Sequence, residues 1–486
     1  MNTLKWNQIF VTLICLTLML GLAIGNANAS PIQHAQTDIA AIDAYVTEQM
    51  NNLGIPGMAL GIVQDGQIVH LQGFGVADSS GRAVTPQTPF YIGSVTKSFT
   101  ALAVMQLVEA GKIDLEAPVQ KYLPWFELAD KEVSANITVR NLLNHTSGIS
   151  TKDGNRFLAS QQGLEETVRG LKTIHITQLV GTTYQYSGLN YTIAGLIVEQ
   201  VSGQSYGDYV DQHIFGPLDM LHSYTSPTPA LADGLSEGHH YMFGHAFKRD
   251  YAVPPACVPE GYLIASVEDM THYMIAQLSD GRYGDLSILS PQGVAEMHAP
   301  AISTGSDEYY AMGWGLGTAD GKPIIQHAGD TGHFHSIVVL MPDSSSGYIL
   351  LANASGFEQL GQVDAIASGI FYLLNGKSPS AVSLPVHVRF LYWAVMLTPI
   401  LMLLGIAYSW RFRHNKGVGR LLLVVLLYGG VALLWLLVVP LVNESALWTG
   451  IRVIHPELAY SVITSAVLGF GWSLVFTGIS LRMRRS

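Results

Sequence analysis

Cysteine is scarce in this sequence, which contains only Cys15 and Cys257. Cys15 lies inside an apolar N-terminal run and would be lost with a cleaved signal, so the mature chain has no partner for an intramolecular disulfide. No cysteine-protease signature surrounds Cys257, which we interpret as a packing residue. Charged residues are also few, at 13% against 49% hydrophobic residues. This imbalance indicates segments embedded in a membrane.

Motifs for metals, phosphates and nucleic acids are missing as well. The sequence has no His-Glu-x-x-His and no Gly-rich phosphate loop, so we predict no cofactor and no metal. The same prediction covers five histidines that lack the spacing of metallo-hydrolases: His239, His240, His245, His333 and His335. Residues 30–388 hold 15 of the Lys and Arg residues against 34 of the Asp and Glu residues. The resulting charge of about −19 argues against nucleic-acid binding.

The N-terminus, residues 1–29, reads as a signal peptide. Lys5 precedes an apolar run from Ile9 to Ile24, and Ala27-Asn28-Ala29 matches the small-x-small cleavage pattern. Export of the following residues is therefore the expectation. An uncleaved N-terminal anchor is the alternative.

Three apolar runs near the C-terminus predict an all-α transmembrane bundle over 390–410, 421–442 and 458–481. They contain 21, 22 and 24 residues without a charge, and about 20 suffice to span a bilayer as a helix. A polar linker, 376–389, precedes them. The first connecting loop and the tail, 482–486, carry arginine and lysine but no acid. Both should face the cytoplasm, which places residues 30–388 on the outer side of a bacterial cytoplasmic membrane.

Residues 30–375 have the pattern of one α+β domain with strands at both ends and helices between them. Helical spacing predicts helices over 38–52, 94–110, 187–201 and 266–278. Short apolar runs predict a hairpin of 58–63 and 67–74, then strands over 309–317, 336–341 and 347–352. An antiparallel sheet packed by helices, with a helical insert, follows from this order.

Ser94 and Lys97 form the first candidate catalytic pair. Spacing of three at the start of a helix puts both side chains on one face, one turn apart. An alcohol needs a base to become a nucleophile, and a lysine whose charge is disfavoured by burial can serve. Taken alone, Ser-x-x-Lys is common, and a capping serine followed by a surface lysine is the competing interpretation.

Four segments in order give that pair a context. They are Tyr-Ile-Gly-Ser-Val-Thr-Lys at 91–97, Asn-His-Thr-Ser-Gly at 144–148, Tyr-Ser-Gly-Leu-Asn-Tyr at 186–191 and His-Ala-Gly at 327–329. Together they resemble the class C β-lactamase family of penicillin-binding-protein-like serine hydrolases (peptidase S12 type) over residues 38–375. The resemblance implies a β-lactamase/transpeptidase-like fold, with an antiparallel sheet, helices on both sides and a helical insert.

The resemblance also implies roles for individual residues. Ser94 would be the acylated nucleophile, Lys97 its proton acceptor, and Tyr186 a proton shuttle whose phenol has its pKa lowered by a nearby cation. Tyr184 and Tyr191 are the alternatives to Tyr186. His327 and Gly329 would lie on a strand lining the cleft. The backbone N–H groups of Ser94 and Asp330 would form an oxyanion hole.

Two positions depart from the family pattern. Gly188 stands where the tyrosine motif usually has asparagine, and Asn190 is a candidate to replace the missing amide. His327 stands where lysine is common, and a neutral imidazole grips a substrate carboxylate less firmly than an ammonium does. Both departures weaken the case for β-lactam hydrolysis. For His145 we favour a structural role in a hydrogen-bonded turn.

These observations favour a membrane-anchored serine hydrolase whose substrate is a small peptide, an ester or a β-lactam. A peptidase for D-amino-acid-containing peptides fits best, and the three-span anchor looks like that of peptidases that mature colibactin-type prodrugs. β-Lactamase and esterase activities are alternatives. A catalytically weak protein that senses penicillins or peptidoglycan fragments is the alternative from another class. The oligomeric state is not encoded in any readable pattern.

Overall fold

The structure is a computed structural model that describes residues 38–158, 160–250, 252–357, 361–380, 382, 386–411, 428–430 and 455–485. The predicted signal peptide lies outside the described residues. Fifteen strands are described, and eight of them form one antiparallel sheet in the order β2-β1-β14-β13-β12-β11-β10-β9. Their bounds are β1 Gly57–Gln64, β2 Gln67–Gly75, β9 Ile302–Gly305, β10 Glu308–Ala311, β11 Trp314–Ala319, β12 Lys322–Asp330, β13 His335–Met341 and β14 Ser346–Ala352.

The remaining strands form three small sheets. Strands β3 (Phe90–Tyr91) and β6 (Ile264–Ala265) pair antiparallel, as do β7 (Arg282–Tyr283) and β8 (Leu286–Ser287). In the third sheet, β4 (His239–Met242) pairs antiparallel with β5 (His245–Lys248) and parallel with β15 (Ala354–Ser355). This last sheet adjoins the turn between β12 and β13, because the N–H of His239 donates to the carbonyl of His333.

Helices cover both faces of the large sheet. The described α-helices are Ile39–Leu53, Thr96–Glu109, Lys131–Ser134, Val139–Leu143, Thr151–Phe157, Leu164–Arg169, Gly188–Ser202, Tyr206–Val210, Pro227–Ala232, Val258–Gly261, Val267–Leu278, Pro291–Met297, Gln362–Leu374, Val386–Arg411 and Pro456–Arg485. The first helix and Gln362–Leu374 pack on one face, while Thr96–Glu109 and the other helices of the insert belong to the core on the opposite face.

Alternation along the central strands explains this two-sided core. In β1, Ala59 and Val63 point into the core of the insert, whereas Met58, Leu60 and Ile62 point into the core under the two terminal helices. Successive side chains of a strand face opposite sides of a sheet. A central strand with apolar residues at every position is therefore buried on both faces and requires a helix layer on each side.

Most of the predicted elements are present, with one correction. The hairpin of 58–63 and 67–74 is β1 and β2, joined by Asp65 and Gly66, which both have positive φ. The predicted strand over 309–317 is wrong, because it is two antiparallel strands, β10 and β11. The chain turns at Gly313, where φ is +82° and an added Cβ would lie 2.6 Å from Cα of Ser98. Only glycine fits that turn against the neighbouring helix.

Two helices near the C-terminus, Val388–Arg411 and Pro456–Ile479, are long and apolar enough to cross a membrane. They match the predicted spans 390–410 and 458–481. They contact each other, and the Ser461 hydroxyl donates to the carbonyl of Val395 at 2.6 Å. The predicted span 421–442 lies outside the described residues except for 428–430, where the Tyr428 hydroxyl donates to the carbonyl of Met402 at 3.0 Å.

Candidate active site

Ser94 lies in a tight turn between β3 and the helix Thr96–Glu109. A short 3-10 segment, Gly93–Val95, leads into the helix, and Gly93 has a φ of +51°. An added Cβ at Gly93 would lie 2.5 Å from the backbone nitrogen of Asp330, and one at Gly329 would lie 2.8 Å from that of Ser94. The two glycines therefore allow the serine turn and the end of β12 to touch. This contact brings together the two backbone N–H groups that we predict as the oxyanion hole.

The structure brings the three predicted catalytic side chains together. Lys97 Nζ donates to Ser94 Oγ at 2.9 Å, and the Tyr186 hydroxyl donates to the same oxygen at 2.8 Å. Lys97 Nζ also lies 4.8 Å from the centre of the Tyr186 ring. Separations in this range are within hydrogen-bond reach, as nucleophile activation requires.

Burial sets the protonation of this trio. It lowers the pKa of Lys97, which is 2% exposed, to about 8, against the pull of the Glu260 carboxylate in the other direction. An amine with that pKa is partly neutral near physiological pH and can accept a proton. Our expectation of a lowered tyrosine pKa was wrong, because burial raises the pKa of Tyr186 above its usual value. The phenol is therefore a neutral hydrogen-bond donor.

His145 holds the segment that carries Tyr186 in place. Its Nδ1 accepts from the N–H of Ser187 at 3.2 Å and lies 2.9 Å from the Asn190 amide nitrogen. The Asn190 oxygen accepts from the Ser147 hydroxyl at 2.6 Å, so the amide NH₂ faces His145. Two donors on Nδ1 require the tautomer protonated on Nε2. Burial lowers the pKa of His145 well below its ordinary value, which keeps the ring neutral. This geometry matches the structural role that we favoured.

Asn190 does not replace the missing motif amide. The residue is completely buried, one turn into the helix Gly188–Ser202, and both ends of its amide are engaged by His145 and Ser147. Its predicted contact with substrate is therefore wrong. A buried amide with satisfied hydrogen bonds is fixed in place, and here it holds the tyrosine segment against the Asn-His-Thr-Ser-Gly segment.

Glu260 takes the space instead. An added Cβ at Gly188 would lie 1.4 Å from Glu260 Oε2. The carboxylate thus occupies the volume into which any side chain at position 188 would project. Lys97 Nζ donates to the backbone carbonyl of Glu260 at 2.6 Å. Burial raises the pKa of Glu260, while the charge of Lys97 lowers it.

Cys257 lies next to this group. Its thiol is buried, with Sγ 3.8 Å from the carbonyl oxygen of Phe157. Burial and the neighbouring Glu260 raise the pKa of the thiol well above its ordinary value. A thiol that stays protonated is a poor nucleophile, which agrees with its interpretation as a packing residue.

His327 lies on β12, beside the aromatic side chains that back Tyr186. Its Nδ1 donates to the carbonyl of Ala328 at 2.6 Å, and its Nε2 lies 3.2 Å from the Tyr310 hydroxyl. Burial, followed by the charge of Lys97, lowers the pKa of His327 to about 4. The ring is therefore neutral at physiological pH, as predicted for the histidine of the His-Ala-Gly segment.

The profile of the beta-lactamase family matches residues 42–370. The chain belongs to the beta-lactamase family. Among similar proteins, penicillin-binding protein 4 of Amycolatopsis lactamdurans is 32% identical over 337 residues, covering 66% of this chain and 86% of that protein. Protein flp of Staphylococcus aureus (strain MW2) is 26% identical over 385 residues, covering 77% of this chain and 76% of that protein.

A solved structure is similar across the same fold. The octameric penicillin-binding protein homologue from Pyrococcus abyssi has a TM-score of 0.63 at 27% identity, covering 74% of this chain and 82% of that chain. The family is that of β-lactamase-like and penicillin-binding-protein-like serine hydrolases, and the fold is the predicted one.

The cleft around Ser94 is small. It has a cavity volume of about 160 Å³, and its wall includes Ser94, Lys97, Tyr186, Gly188, Glu260 and Asp330. A larger cavity of about 710 Å³ shares Tyr262, Thr331 and His333 with the cleft. A substrate can therefore place a small acyl group at Ser94 and a longer part in the adjoining cavity.

Asp330 also belongs to an ion-pair system in which a largely buried histidine joins two partly exposed carboxylates. His335 lies between two carboxylates, with its Nδ1 3.3 Å from Asp330 and its Nε2 2.9 Å from Asp364. Burial opposes the effect, but these carboxylates raise the pKa of His335 to about 10. In turn, hydrogen bonds from His335 and Ser355 outweigh burial and lower the pKa of Asp330 to about 2. Asp330 is therefore an anion at the edge of the cleft.

Two functional residues were missed by sequence reasoning. Glu260 belongs to no recognised motif, and the one available signal was the glycine at 188, which marks a gap without naming what fills it. Tyr310 was included only within a predicted strand, although its hydroxyl reaches His327 and its ring packs 4.9 Å from that of His145.

Proposed function

We propose that this protein is a membrane-anchored serine hydrolase that forms an acyl-enzyme on Ser94 and cleaves amides of D-amino-acid-containing peptides. The observation that carries the proposal is the double hydrogen bond to Ser94 Oγ from Lys97 and Tyr186. Proton transfer at the nucleophile is the common requirement of acyl transfer, and this arrangement supplies an acceptor and a donor at one oxygen.

In the proposed reaction, Lys97 and Tyr186 transfer protons during acylation of Ser94 and transfer them back during hydrolysis of the acyl-enzyme. Neutral Lys97 accepts the proton of Ser94 as its oxygen bonds to the substrate carbonyl carbon, and the carbonyl oxygen becomes an oxyanion between the N–H groups of Ser94 and Asp330. The oxyanion then collapses and the C–N bond breaks as the neutral phenol of Tyr186 donates a proton to the leaving nitrogen, and the phenolate recovers a proton from Lys97. Water then attacks the ester with the proton transfers reversed, releasing the acid and restoring Ser94.

The charges of the cleft favour substrates without a carboxylate next to the scissile bond. Glu260 and Asp330 both line the cleft. His327 is neutral at the position where lysine is common in the family. Like charges brought together in a cleft of low dielectric repel strongly. With a neutral His327 and two acidic side chains in the wall, this arrangement supports a neutral or amine-bearing peptide over a β-lactam.

The proposed location is the bacterial cytoplasmic membrane, with the catalytic domain on its outer side and three C-terminal spans. It is supported by the two described apolar helices and by the distribution of arginine and lysine along the sequence. A tethered enzyme meets a substrate that arrives through the bilayer at a raised local concentration. A natural-product prodrug exported through the membrane is one such substrate.

Intact-mass detection of acyl-enzymes tests the proposal. Purified full-length protein in detergent is exposed to a fluorophosphonate, D-Ala-D-Ala peptides, N-acyl-D-asparagine compounds, esters and cephalosporins, with Ser94→Ala as the matched control. We expect labelling that depends on Ser94 and turnover of D-amino-acid amides. Labelling that survives in the variant contradicts the assignment of the nucleophile. Turnover restricted to cephalosporins contradicts the substrate class, and a persistent cephalosporin adduct with no turnover of any peptide or ester identifies a sensing protein.

A further inference from the structure

Three side chains of types that can ligate a metal meet outside the cleft, where strand β4 lies against the start of the last helix. They are His240 from β4, and His455 and Glu457 at the beginning of Pro456–Arg485. One ligand atom from each lies within 4.8 Å of the other two. His240 Nε2 is 3.2 Å from Glu457 Oε1, and His455 Nδ1 is 3.9 Å from the same oxygen.

The hydrogen bond on the other side of His240 fixes its direction. Its Nδ1 lies 3.0 Å from the carbonyl oxygen of Gly332. A carbonyl can only accept, so Nδ1 carries the hydrogen, and in the neutral ring the lone pair on Nε2 faces the carboxylate. An imidazole held through Nδ1–H by a backbone carbonyl, with Nε2 facing other ligands, is the usual arrangement at a metal site.

Apart from these contacts with one another, the atoms have no polar partner within the part of the chain that the structure describes. His240 Nε2, His455 Nδ1 and both carboxylate oxygens of Glu457 are buried without a hydrogen-bond partner there. The His240 side chain is 2% exposed, and those of His455 and Glu457 are 12% and 13% exposed. Buried polar groups are costly unless they are paired, and four acceptor or ligand atoms converging on one point indicate a cation between them.

We propose that His240, His455 and Glu457 bind a Zn²⁺-class ion that fastens the last helix to the catalytic domain. Two imidazoles and one carboxylate suit such an ion better than Mg²⁺ or Ca²⁺, which prefer oxygen ligands. Ligands at about 2.0–2.2 Å around a tetrahedral ion lie roughly 3.3–3.5 Å from one another. The spacings of 3.2 and 3.9 Å to the carboxylate are close to this range, and the two histidine nitrogens, which lie within 4.8 Å of each other, would move together by about 1 Å at most.

The ion would connect the helix to the catalytic turn. His240 holds the carbonyl of Gly332, and the N–H of Gly332 donates to Asp330 Oδ1 at 2.5 Å. Asp330 and Arg249 both act electrostatically on His455, with opposite signs. The proposal departs from our expectation of no metal, which considered only ligands close in sequence. It does not depend on the proposed hydrolase activity.

Metal content of the full-length protein in detergent tests the site. We expect about one Zn²⁺ per chain by elemental mass spectrometry after loading with Zn²⁺ and buffer exchange, and tetrahedral ligand-field bands when Co²⁺ replaces it. His240→Ala and the isosteric Glu457→Gln should each lower retained metal at least about tenfold. His245→Ala, an exposed histidine on the same hairpin, should retain it.

Two outcomes would overturn the proposal. One is a wild-type protein that retains no Zn²⁺ or Co²⁺, in which case a proton shared by His240 and Glu457 holds the contact. The other is stoichiometric metal that survives His240→Ala or Glu457→Gln, whatever His245→Ala does. Circular dichroism and elution volume of each variant establish that it is folded, so a loss of metal reports the site itself.

Discussion

Position 188 offers a sharp test of the cleft geometry, because its missing side chain is the space that Glu260 fills. A Cβ there would lie 1.4 Å from Oε2 and 2.4 Å from the carboxyl carbon of Glu260. Ordinary contact begins at about 3.4 Å, so the Gly188→Ala substitution forces the carboxylate back by about 2 Å. The charge of this carboxylate raises the pKa of Lys97, so its displacement changes the electrostatics of the proposed base.

The size of that shift sets the expected effect. A misplacement of about 1 Å in a catalytic group can cost roughly 100-fold in rate. We therefore expect Gly188→Ala to lower kcat/KM at least about 100-fold. Overpacking a buried site typically costs about 1–3 kcal/mol of unfolding free energy, which thermal melting would detect. Gly188→Asn, which restores the usual motif residue, should be at least as damaging because its side chain is larger.

A double variant distinguishes this mechanism from general damage. Replacing Glu260 as well, in Gly188→Asn/Glu260→Ala, removes the clash and should recover most of the labelling rate with a fluorophosphonate, giving a coupling far from additivity. Gly170→Ala is the matched control, because its φ is −71° and nothing lies within 4 Å of its added Cβ. Wild-type rates in Gly188→Ala, or additive losses in the double variant, would refute the reasoning.

Three further predictions concern the charge of Lys97, the charge of His335 and the orientation of the catalytic domain. Because burial sets the pKa of Lys97 at about 8 and the neutral amine is the base, kcat/KM should fall about tenfold for each pH unit below that value. The Glu260 carboxylate raises the pKa of Lys97, so Glu260→Gln should move the acidic limb of the pH profile to lower pH. A limb that moves to higher pH contradicts the assignment of Lys97 as the base. The pKa of His335 is raised to about 10 from an ordinary 6.5, so the stability that its charge contributes is complete below pH 6.5 and is lost as pH rises to about 10. His335→Gln should therefore remove this decrease from the melting temperatures measured between pH 6.5 and 10. The loss of stability at lower pH is limited by solvent screening of the partly exposed carboxylates. An alkaline phosphatase reporter fused after Asn375 should be active in cells, and an inactive fusion would contradict outward orientation.

Local patterns were sufficient for much of the fold. The N-terminal helix, the first hairpin, the helix after Ser94 and strands β13 and β14 have clear hydrophobic periods, and each lies within two residues of its predicted range. The pattern failed at 309–317, where apolar residues continue through a turn. The reason is tertiary, because Gly313 is required by its contact with Ser98, and no local period records such a contact.

In the candidate site, too, local features of the sequence were predictable and tertiary contacts were not. Ser94, Lys97 and Tyr186 could be predicted because their spacing and flanking residues are local features of the sequence. Glu260 could not, because the only link between it and Gly188 is a volume shared across 72 positions. Asn190 misled for the opposite reason: its closeness in sequence to the tyrosine suggested a contact with substrate, whereas the helix that starts at Gly188 turns its side chain into the core.

The hairpin of β4 and β5 lies between the cleft and the first of the two long apolar helices. On one side, Phe243 between the two strands packs against Tyr392 and Trp393 of the helix Val386–Arg411. On the other side, Lys248 and the residues after it line the cavity of about 710 Å³ that adjoins the catalytic cleft. A long substrate that extends from Ser94 into this cavity therefore lies against the same hairpin that rests on the helices. Under the proposed topology, that arrangement shortens the path from the bilayer to the nucleophile, which is the physical advantage of anchoring this domain rather than releasing it.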